Sequence, residues 1–496
     1  MTNLNPMLVS DFYKQSHREQ YPQGTEKVYS TWTPRTSRID GIDKVVCFGI
    51  QSFIKKYLID YFNKNFFDIS EEEAVSSFER MIKFTLGKTE VDTSHIRALH
   101  QLGYLPIEIK SLKEGTLTPI RVPMLTIENT NPDFFWLTNF LETLMSCELW
   151  QSMTSATLAF QYRKIVEKYA KETCDDNSHV PFQCHDFSMR GMSSVESSIS
   201  SGMGQLLSFS GTDTIPAIFG LEQYYNANIE KELVGTSIPA TEHSVMCSYG
   251  NTNEFELFKH LLLDVYPTGL FSAVSDTWDL WKVVTEYIPA LKEEILGRNG
   301  KLVVRPDSGV PEDIICGDVN APEGSPERKG VIELLWETFG GTVNSKGYKV
   351  LDPHIGCIYG DSITLERAEE ICKRLKDKGF ASSNIVFGVG SFTYQYNTRD
   401  TFGFALKATY VIVNGEERLI FKNPKTDNGV KKSQRGLVNV INDGIDIVFA
   451  DGFYKADYDE EQKTNPTLLE TVFKDGKLLR DESLAEIRAR LDKELD

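Results

Sequence analysis

Seven short strings carry the residues of this chain whose types and spacing could do chemistry: HDFSMRG (185–191), SGTDT (210–214), SIPATEHS (237–244), VSDTWD (274–279), VVRPDSG (303–309), YGDS (359–362) and FGVGS (387–391). Apolar runs end in these strings at His185 and Asp186, Asp213, His243, Asp276, Asp307, Asp361 and Gly390, with Arg190 and Arg305 interleaved. Carboxylates alternating with arginines around one pocket suit a reaction that develops positive charge on one fragment and negative charge on the other. Taken singly, each aspartate reads as a helix N-cap. Five such run ends together with two arginines point instead to a shared site. GxxxxGK[ST], HExxH and zinc-type cysteine and histidine spacings are absent, and Gly388-Val389-Gly390-Ser391-Phe392-Thr393 fails GxGxxG at its third glycine.

The elements that must position these residues follow from their intervals. From His185 onward the run ends are 28, 30, 33, 31, 54 and 29 residues apart, and all but one interval fit a strand, loop, helix and loop unit. The longest interval contains the polar stretch 317–329, which reads as an inserted loop. KLVVRPDSG, GCIYGDS and NIVFGVGS have the continuous apolar character of strands buried on both faces. Polar residues at the carboxyl ends of successive parallel strands are where a βα barrel builds its active site, and an open doubly wound sheet would use the same ends. The expected fold class is α/β: an irregular βα barrel over 149–391, packed against an α+β domain formed by segments 1–148 and 392–496. In those flanks, 105–129 alternates like antiparallel strands, and Asn414-Gly415 and Asp475-Gly476 mark tight turns. Ser483 with Glu486 reads as a capping box.

Composition narrows the class. Hydrophobic residues make up 41% and charged residues 25% of 496 residues, as in soluble globular chains. With 53 basic against 71 acidic residues, the net charge of -18 opposes binding to nucleic acid or anionic membrane, so an anionic ligand needs a local basic pocket. Eight cysteines without a CxxC pair read as reduced thiols, and the N-terminus has no signal-like apolar run. A cytoplasmic enzyme without a membrane span is expected.

HDFxxRG, GTDT and PAxEHS in this order resemble the nicotinamide phosphoribosyltransferases, of the type II phosphoribosyltransferase family. The likeness runs from SDFYKQSH near the start, through TRD at 398–400, to VFKDGKLLRD near the end. It implies transfer of ribose 5-phosphate from phosphoribosyl pyrophosphate to nicotinamide, giving nicotinamide mononucleotide and pyrophosphate in NAD salvage. The nearest rival is nicotinate phosphoribosyltransferase; a catalytically silent sensor of nicotinamide mononucleotide is another.

By the same resemblance, Phe187 and a partner subunit's Tyr13 sandwich the pyridine ring, Asp213 accepts a hydrogen bond from its carboxamide NH2, and Arg305 is a further nicotinamide-binding residue. Arg190, Arg305 and His243 face the pyrophosphate, while Asp307, Gly360 and Asp361 hold the ribose. Gly390, Ser391, Arg35, Arg399, Lys407, Lys422 and Lys431 are implied for the 5-phosphate, with Arg35 and Arg399 also from the neighbouring chain, hence a homodimer. Asp276 and Asp307 are implied as water-mediated Mg²⁺ ligands and, with His243, as catalytic residues. His243 is implied as the histidine phosphorylated by optional ATP. The family's loop near 388–392 is richer in glycine than Val389, Ser391 and Phe392 make it here.

Overall fold

Period-two alternation at both ends of the chain produces one antiparallel sheet. Ile107–Ser111 and Leu125–Asn129 pair with Ile107 opposite Asn129, and Thr25–Thr33 lies between Leu125–Asn129 and Ala405–Val413. Glu416–Leu419 and Glu470–Lys474 with Lys477–Leu478 complete the seven strands. Asn414-Gly415 and Asp475-Gly476 each form a two-residue turn with both φ values positive (52° and 75°; 48° and 78°), which matches the twist of the strands they join. The computed structural model describes residues 4–424, 426 and 433–495.

The central runs form a parallel sheet in the order Gly211–Thr212, Cys184–Asp186, Ile385–Val389, Ile355–Tyr359, Asn299–Arg305, Thr268–Val274. Leu302, Val304, Ile355, Cys357, Tyr359, Ile385, Phe387 and Val389 are buried on one face and Val303 and Ile358 on the other, as strands covered on both faces require. Residues 236–241 join the two edges. Thr212 N–H donates to Thr236 O (3.0 Å) and Thr236 N–H to Ser210 O (2.7 Å) on one side; Ser272 N–H donates to Pro239 O (2.8 Å) and Thr241 N–H to Ser272 O (3.0 Å) on the other. Pro239 has no N–H, so this closing segment makes isolated bridges at Thr236 and Ala240 rather than a regular ladder. The ring is therefore an irregular barrel, and His243 begins the helix His243–Ser248 instead of ending a strand. The long interval holds more than a loop: it contains the short helix Pro326–Lys329 and the hairpin Gly341–Val343/Lys349–Leu351.

A 32-residue helix, Glu142–Thr173, free of glycine and proline, ties the two sheets together. At ~1.5 Å per residue it spans roughly 48 Å. Trp32 Nε1 of the antiparallel sheet donates to Met153 Sδ at 3.4 Å, and further along Tyr162 OH donates to Ile363 O at 3.0 Å, just past a barrel strand. The expected division at 148/149 falls inside this continuous helix. One hydrophobic cluster also runs from Met7 and Trp32 through Tyr162 to Phe387 and Phe473, so the core is shared. The closing helix Leu484–Asp492 starts with the capping box of Ser483 and Glu486, but buries Leu484, Ile487 and Leu491 beside Met203, Leu206 and Leu207. Arg488 donates to the carbonyls of Leu206, Leu233 and Val234 and Arg490 to that of Glu114, fixing this end of the chain to both the barrel and the N-terminal segment.

Tyr162 OH also lies 3.0 Å from Thr393 Oγ1, so one buried hydroxyl braces the turns after two barrel strands. Tyr162→Phe is expected to cost ~1 kcal/mol, because the Ile363 carbonyl loses its shorter bond and keeps only that from Thr393 Oγ1 at 3.2 Å. Denaturant unfolding monitored by tryptophan fluorescence checks this; an unchanged midpoint would remove the brace.

Candidate active site

The carboxyl ends of the barrel strands open into one cleft of about 1520 Å³. That exceeds the ~300–1000 Å³ of a pocket for one small ligand and leaves room for two substrates. Phe187, Arg190, Asp213, His243 and Arg305 line it, and so do Asp307, Gly360, Asp361, Gly390 and Ser391. Segments far apart in sequence are thus brought together as expected.

Phe187 follows the strand Cys184–Asp186, and its N–H donates to Val389 O at 2.9 Å, which pins the ring above the neighbouring strand. A Cβ at Gly388 would lie 2.5 Å from Phe187 Cδ2 and 2.8 Å from Gly360 Cα, so only glycine lets the ring sit this low. The His185 ring lies beside it at 4.8 Å.

Asp213 follows the shortest strand, its N–H donating to Asp186 O at 2.9 Å. Its Oδ1 accepts from His185 Nε2 (2.8 Å) and Ser237 Oγ (2.6 Å). Burial acts to raise its pKa, but these two hydrogen bonds, with the positive charges of His185 and Arg305, outweigh burial and lower it. The result is an anionic carboxylate with one oxygen held by two donors.

Asp307 and Arg305 form the opposite wall, and Asp276, also expected at the site, is buried beside Asp307 outside the cleft lining. The Asp276 side chain is 4% exposed; Oδ2 accepts from Asp307 N–H (2.8 Å) and Ser308 Oγ (2.6 Å). Its Oδ1 is buried with no hydrogen-bond partner and lies 3.6 Å from His243 Nε2. Burial raises the Asp307 pKa, and the charges of Asp276 and Asp361 add to this against Arg305 and His243. Arg305 donates from Nη2 to Thr241 O at 2.6 Å, a carbonyl of the closing segment. Burial lowers its pKa while Asp307, Asp213 and Asp276 oppose the shift, so the guanidinium is the charge that lets three carboxylates stand near one another.

Among the described residues, no three His, Cys, Asp or Glu side chains gather closely enough to cage a metal ion. Two hard oxygen donors nonetheless stand close together: the Asp307 carboxylate in the cleft lining and the buried, unpartnered Asp276 Oδ1 next to it. That set fits Mg²⁺, which keeps several waters and takes its remaining ligands from phosphate oxygens.

Other expected residues stand elsewhere. Tyr13 is 60% exposed, its ring edge-on to His17 at 4.9 Å. Arg35 Nε donates to Gly403 O at 2.8 Å, Arg399 lies 3.5 Å from Asp400, and Lys407 lies 3.6 Å from Glu142, which also pairs with Lys14. Burial lowers the Lys407 pKa, with Glu142 opposing and Arg35 and Lys14 adding to the effect. These groups gather near the start of the long helix, and none lines the cleft of its own chain. The Lys422 side chain is exposed on the connection after Glu416–Leu419, and Lys431 lies outside the described residues.

Sequence reasoning assigned no role to Ser237, Ser362 or Arg367. Ser237 stood inside a quoted string, and its position on the segment that closes the barrel was the missing information. Arg367 sits one turn into the helix Leu365–Asp377 and lines the cleft; on sequence alone it reads as a solvated helical arginine.

Comparisons with known proteins agree with this geometry. Residues 182–477 match the model of the nicotinate phosphoribosyltransferase (NAPRTase) family, and residues 5–109 match the N-terminal domain of nicotinamide phosphoribosyltransferase. The chain is 50% identical over 504 residues to the nicotinamide phosphoribosyltransferase of Acinetobacter baylyi, covering 99% of this chain and 98% of that protein. It is 38% identical to that of Mycoplasma pneumoniae, covering 86% of this chain and 94% of that one, and 33% identical to that of Xanthomonas campestris, covering 98% of each. In fold it is similar to nicotinate-nucleotide pyrophosphorylase from Pyrococcus furiosus (TM-score 0.55, 15% identity, 99% and 95% covered). Human nicotinic acid phosphoribosyltransferase is similar too (TM-score 0.53, 15% identity, 98% and 93% covered).

Proposed function

This chain belongs to the nicotinate phosphoribosyltransferase family, within it to the nicotinamide phosphoribosyltransferases, and on that premise we propose how its cleft joins nicotinamide to phosphoribosyl pyrophosphate. The products are nicotinamide mononucleotide and pyrophosphate, which places the reaction in NAD salvage. The observation that carries the choice of base is the anionic Asp213, whose Oδ1 is held by His185 and Ser237. Its other oxygen accepts a hydrogen bond from the carboxamide NH2, while a nicotinate carboxylate there would meet like charge. The reading as a nicotinate phosphoribosyltransferase is therefore not favoured.

Phe187 supplies one face for the pyridine ring, with ~0.5–1.5 kcal/mol expected from such stacking beyond area burial. Asp307 and Asp361 hold ribose hydroxyls and orient the anomeric carbon toward the ring nitrogen, which attacks with inversion. Arg190 and Arg305 take up the charge that grows on the departing pyrophosphate. Gly390 and Ser391 offer backbone N–H groups to the 5-phosphate. Asp276 and Asp307 would hold Mg²⁺ through water, and the ion when bound neutralises pyrophosphate charge.

The group of Tyr13, Arg35, Arg399 and Lys407 supports a homodimer in which each chain completes the other's cleft: its aromatic and cationic residues suit a ring face and a phosphate, yet they lie outside the cleft of their own chain. Lys422 and Lys431 belong to the same reading as further 5-phosphate contacts. The eight cysteines are all free thiols, which supports a cytoplasmic location, and among the described residues no helix is long and apolar enough to cross a membrane. Nothing in the charge balance favours nucleic acid as a partner.

Incubating the protein with nicotinamide, phosphoribosyl pyrophosphate and Mg²⁺ should release nicotinamide mononucleotide and pyrophosphate in equal amounts. Calorimetric binding of nicotinamide mononucleotide without turnover would instead indicate a silent nucleotide-binding protein. ATP acts as an optional coupling substrate: His243 Nε2, on a half-exposed ring beside Asp276, attacks the γ-phosphate and ADP leaves. His243→Ala is expected to retain basal transfer at a reduced rate, roughly 10–10²-fold lower if its contribution is of general acid–base size, and to lose stimulation by ATP. Rates with and without ATP check this; stimulation that persists would remove His243 from the role.

A further inference from the structure

The turn that carries Asp361 is built in an uncommon backbone conformation. Among the described residues, five non-glycine residues have positive φ, and Ser362, at 55°, is the one of them that lines the cleft. Asn414 and Asp475 occupy hairpin turns that demand such angles. A serine in the left-handed region is less stable than glycine would be, and such residues persist where the surroundings hold them. Here the surroundings do hold it: the Ser362 carbonyl accepts from Arg367 Nη1 at 2.7 Å, and Arg367 Nε lies 3.6 Å from Glu312 Oε1. The hydroxyl that the strained backbone presents donates to Asp361 Oδ2 at 2.5 Å.

We propose that Ser362 is a positioning residue for the transfer reaction: its left-handed backbone, clamped by Arg367, places the hydroxyl on one oxygen of Asp361 so that the other is aimed at the sugar of phosphoribosyl pyrophosphate. The proposal rests on the reading of Asp361 as a holder of ribose hydroxyls. Asp361 is exposed to the cleft, and among the described residues Ser362 is the one hydrogen-bond donor to its carboxylate, so without Ser362 it turns freely about its side-chain bonds. A freely turning carboxylate loses the geometry that orientation supplies in bringing reactants together. Arg367 acts at one remove: it fixes the serine, which fixes the aspartate.

The test separates positioning from stability because the two move in opposite directions. Ser362→Gly relieves the backbone and removes the hydroxyl; Ser362→Ala keeps the unfavourable φ and removes the hydroxyl. Both are expected to raise KM for phosphoribosyl pyrophosphate about tenfold, the size of one hydrogen bond to a charged group. KM for nicotinamide, measured at saturating phosphoribosyl pyrophosphate, should stay within about twofold. The melting temperature of Ser362→Gly should equal or exceed that of the unaltered protein, and that of Ser362→Ala should not. Asp361→Ala serves as the reference. An unaltered KM in both serine variants, with a raised KM in Asp361→Ala, would overturn the proposal and leave the role of Asp361 intact. An unaltered KM in Asp361→Ala as well would overturn the reading on which it rests.

Discussion

Arg305→Ala is expected to lower kcat/KM for pyrophosphate release by ~10²–10³-fold, a loss of ~3–4 kcal/mol of transition-state stabilisation. The size follows from where the guanidinium sits. Arg305 is tied to the Thr241 carbonyl on the segment that closes the barrel, and its charge acts on Asp307, Asp213 and Asp276 at once. Without it, charge on the departing pyrophosphate loses a preorganised partner, and three carboxylates repel one another across the cleft. The Asp307 pKa, already raised by burial and by Asp276 and Asp361, loses the opposing pull of Arg305 and rises further. Asp307 would then be protonated in a larger fraction of molecules as pH falls, so the acid limb of the activity profile should move to higher pH. Steady-state kinetics across a pH series measures both effects. A loss below about fivefold with an unmoved acid limb would show that the guanidinium is not aimed at the reacting centre.

The second large effect concerns the base. In Asp213→Asn the two donors on Oδ1, His185 Nε2 and Ser237 Oγ, should select the side-chain orientation that keeps the amide oxygen on their side. The NH2 then points toward the base, a donor where an acceptor stood. Such a donor suits the nicotinate carboxylate and opposes the NH2 of nicotinamide. Removing like-charge repulsion worth on the order of 4 kcal/mol at an effective dielectric of 20, discounted for partial exposure, should shift the nicotinamide-to-nicotinate ratio of kcat/KM by ~10–10²-fold. Parallel assays with the two bases test this, and an unchanged ratio would separate Asp213 from base selection.

Much of this site was legible in the sequence because a buried parallel strand leaves a plain signature. LVVRPDSG and CIYGDS each show an apolar run, a proline or glycine, and an aspartate, and Asp307 and Asp361 stand where that signature places them. Phe187 was legible through HDFSMRG, but the reason it can lie so low, the bare Gly388 backbone on another strand, appears only in three dimensions. The closing segment 236–241 hid itself: Pro239 breaks the ladder, so no strand-like alternation announces that it links the two sheet edges. His243, counted among the run ends, is the first residue of a helix.

The division of the chain was less legible than its site. A boundary at 148 follows from the change in texture along the sequence, yet the helix Glu142–Thr173 runs through it with buried residues along nearly its whole length. Texture reports local periodicity, whereas a helix packed at one end on an antiparallel sheet and at the other on a barrel has the same periodicity throughout. Ser362 and Arg367 were missed for a related reason. Ser362 closes the string YGDS but carries no charge to single it out, and Arg367 lies outside every string; a positive φ and two hydrogen bonds mark them.

The central claim is that one cleft brings an anionic Asp213 to the pyridine substituent while carboxylates and arginines gather about the anomeric carbon. Competition between nicotinamide and nicotinate for limiting phosphoribosyl pyrophosphate, with both mononucleotides quantified from one reaction, tests it most directly. Nicotinamide mononucleotide should dominate the products at equal concentrations of the two bases. A majority of nicotinate mononucleotide would contradict the account.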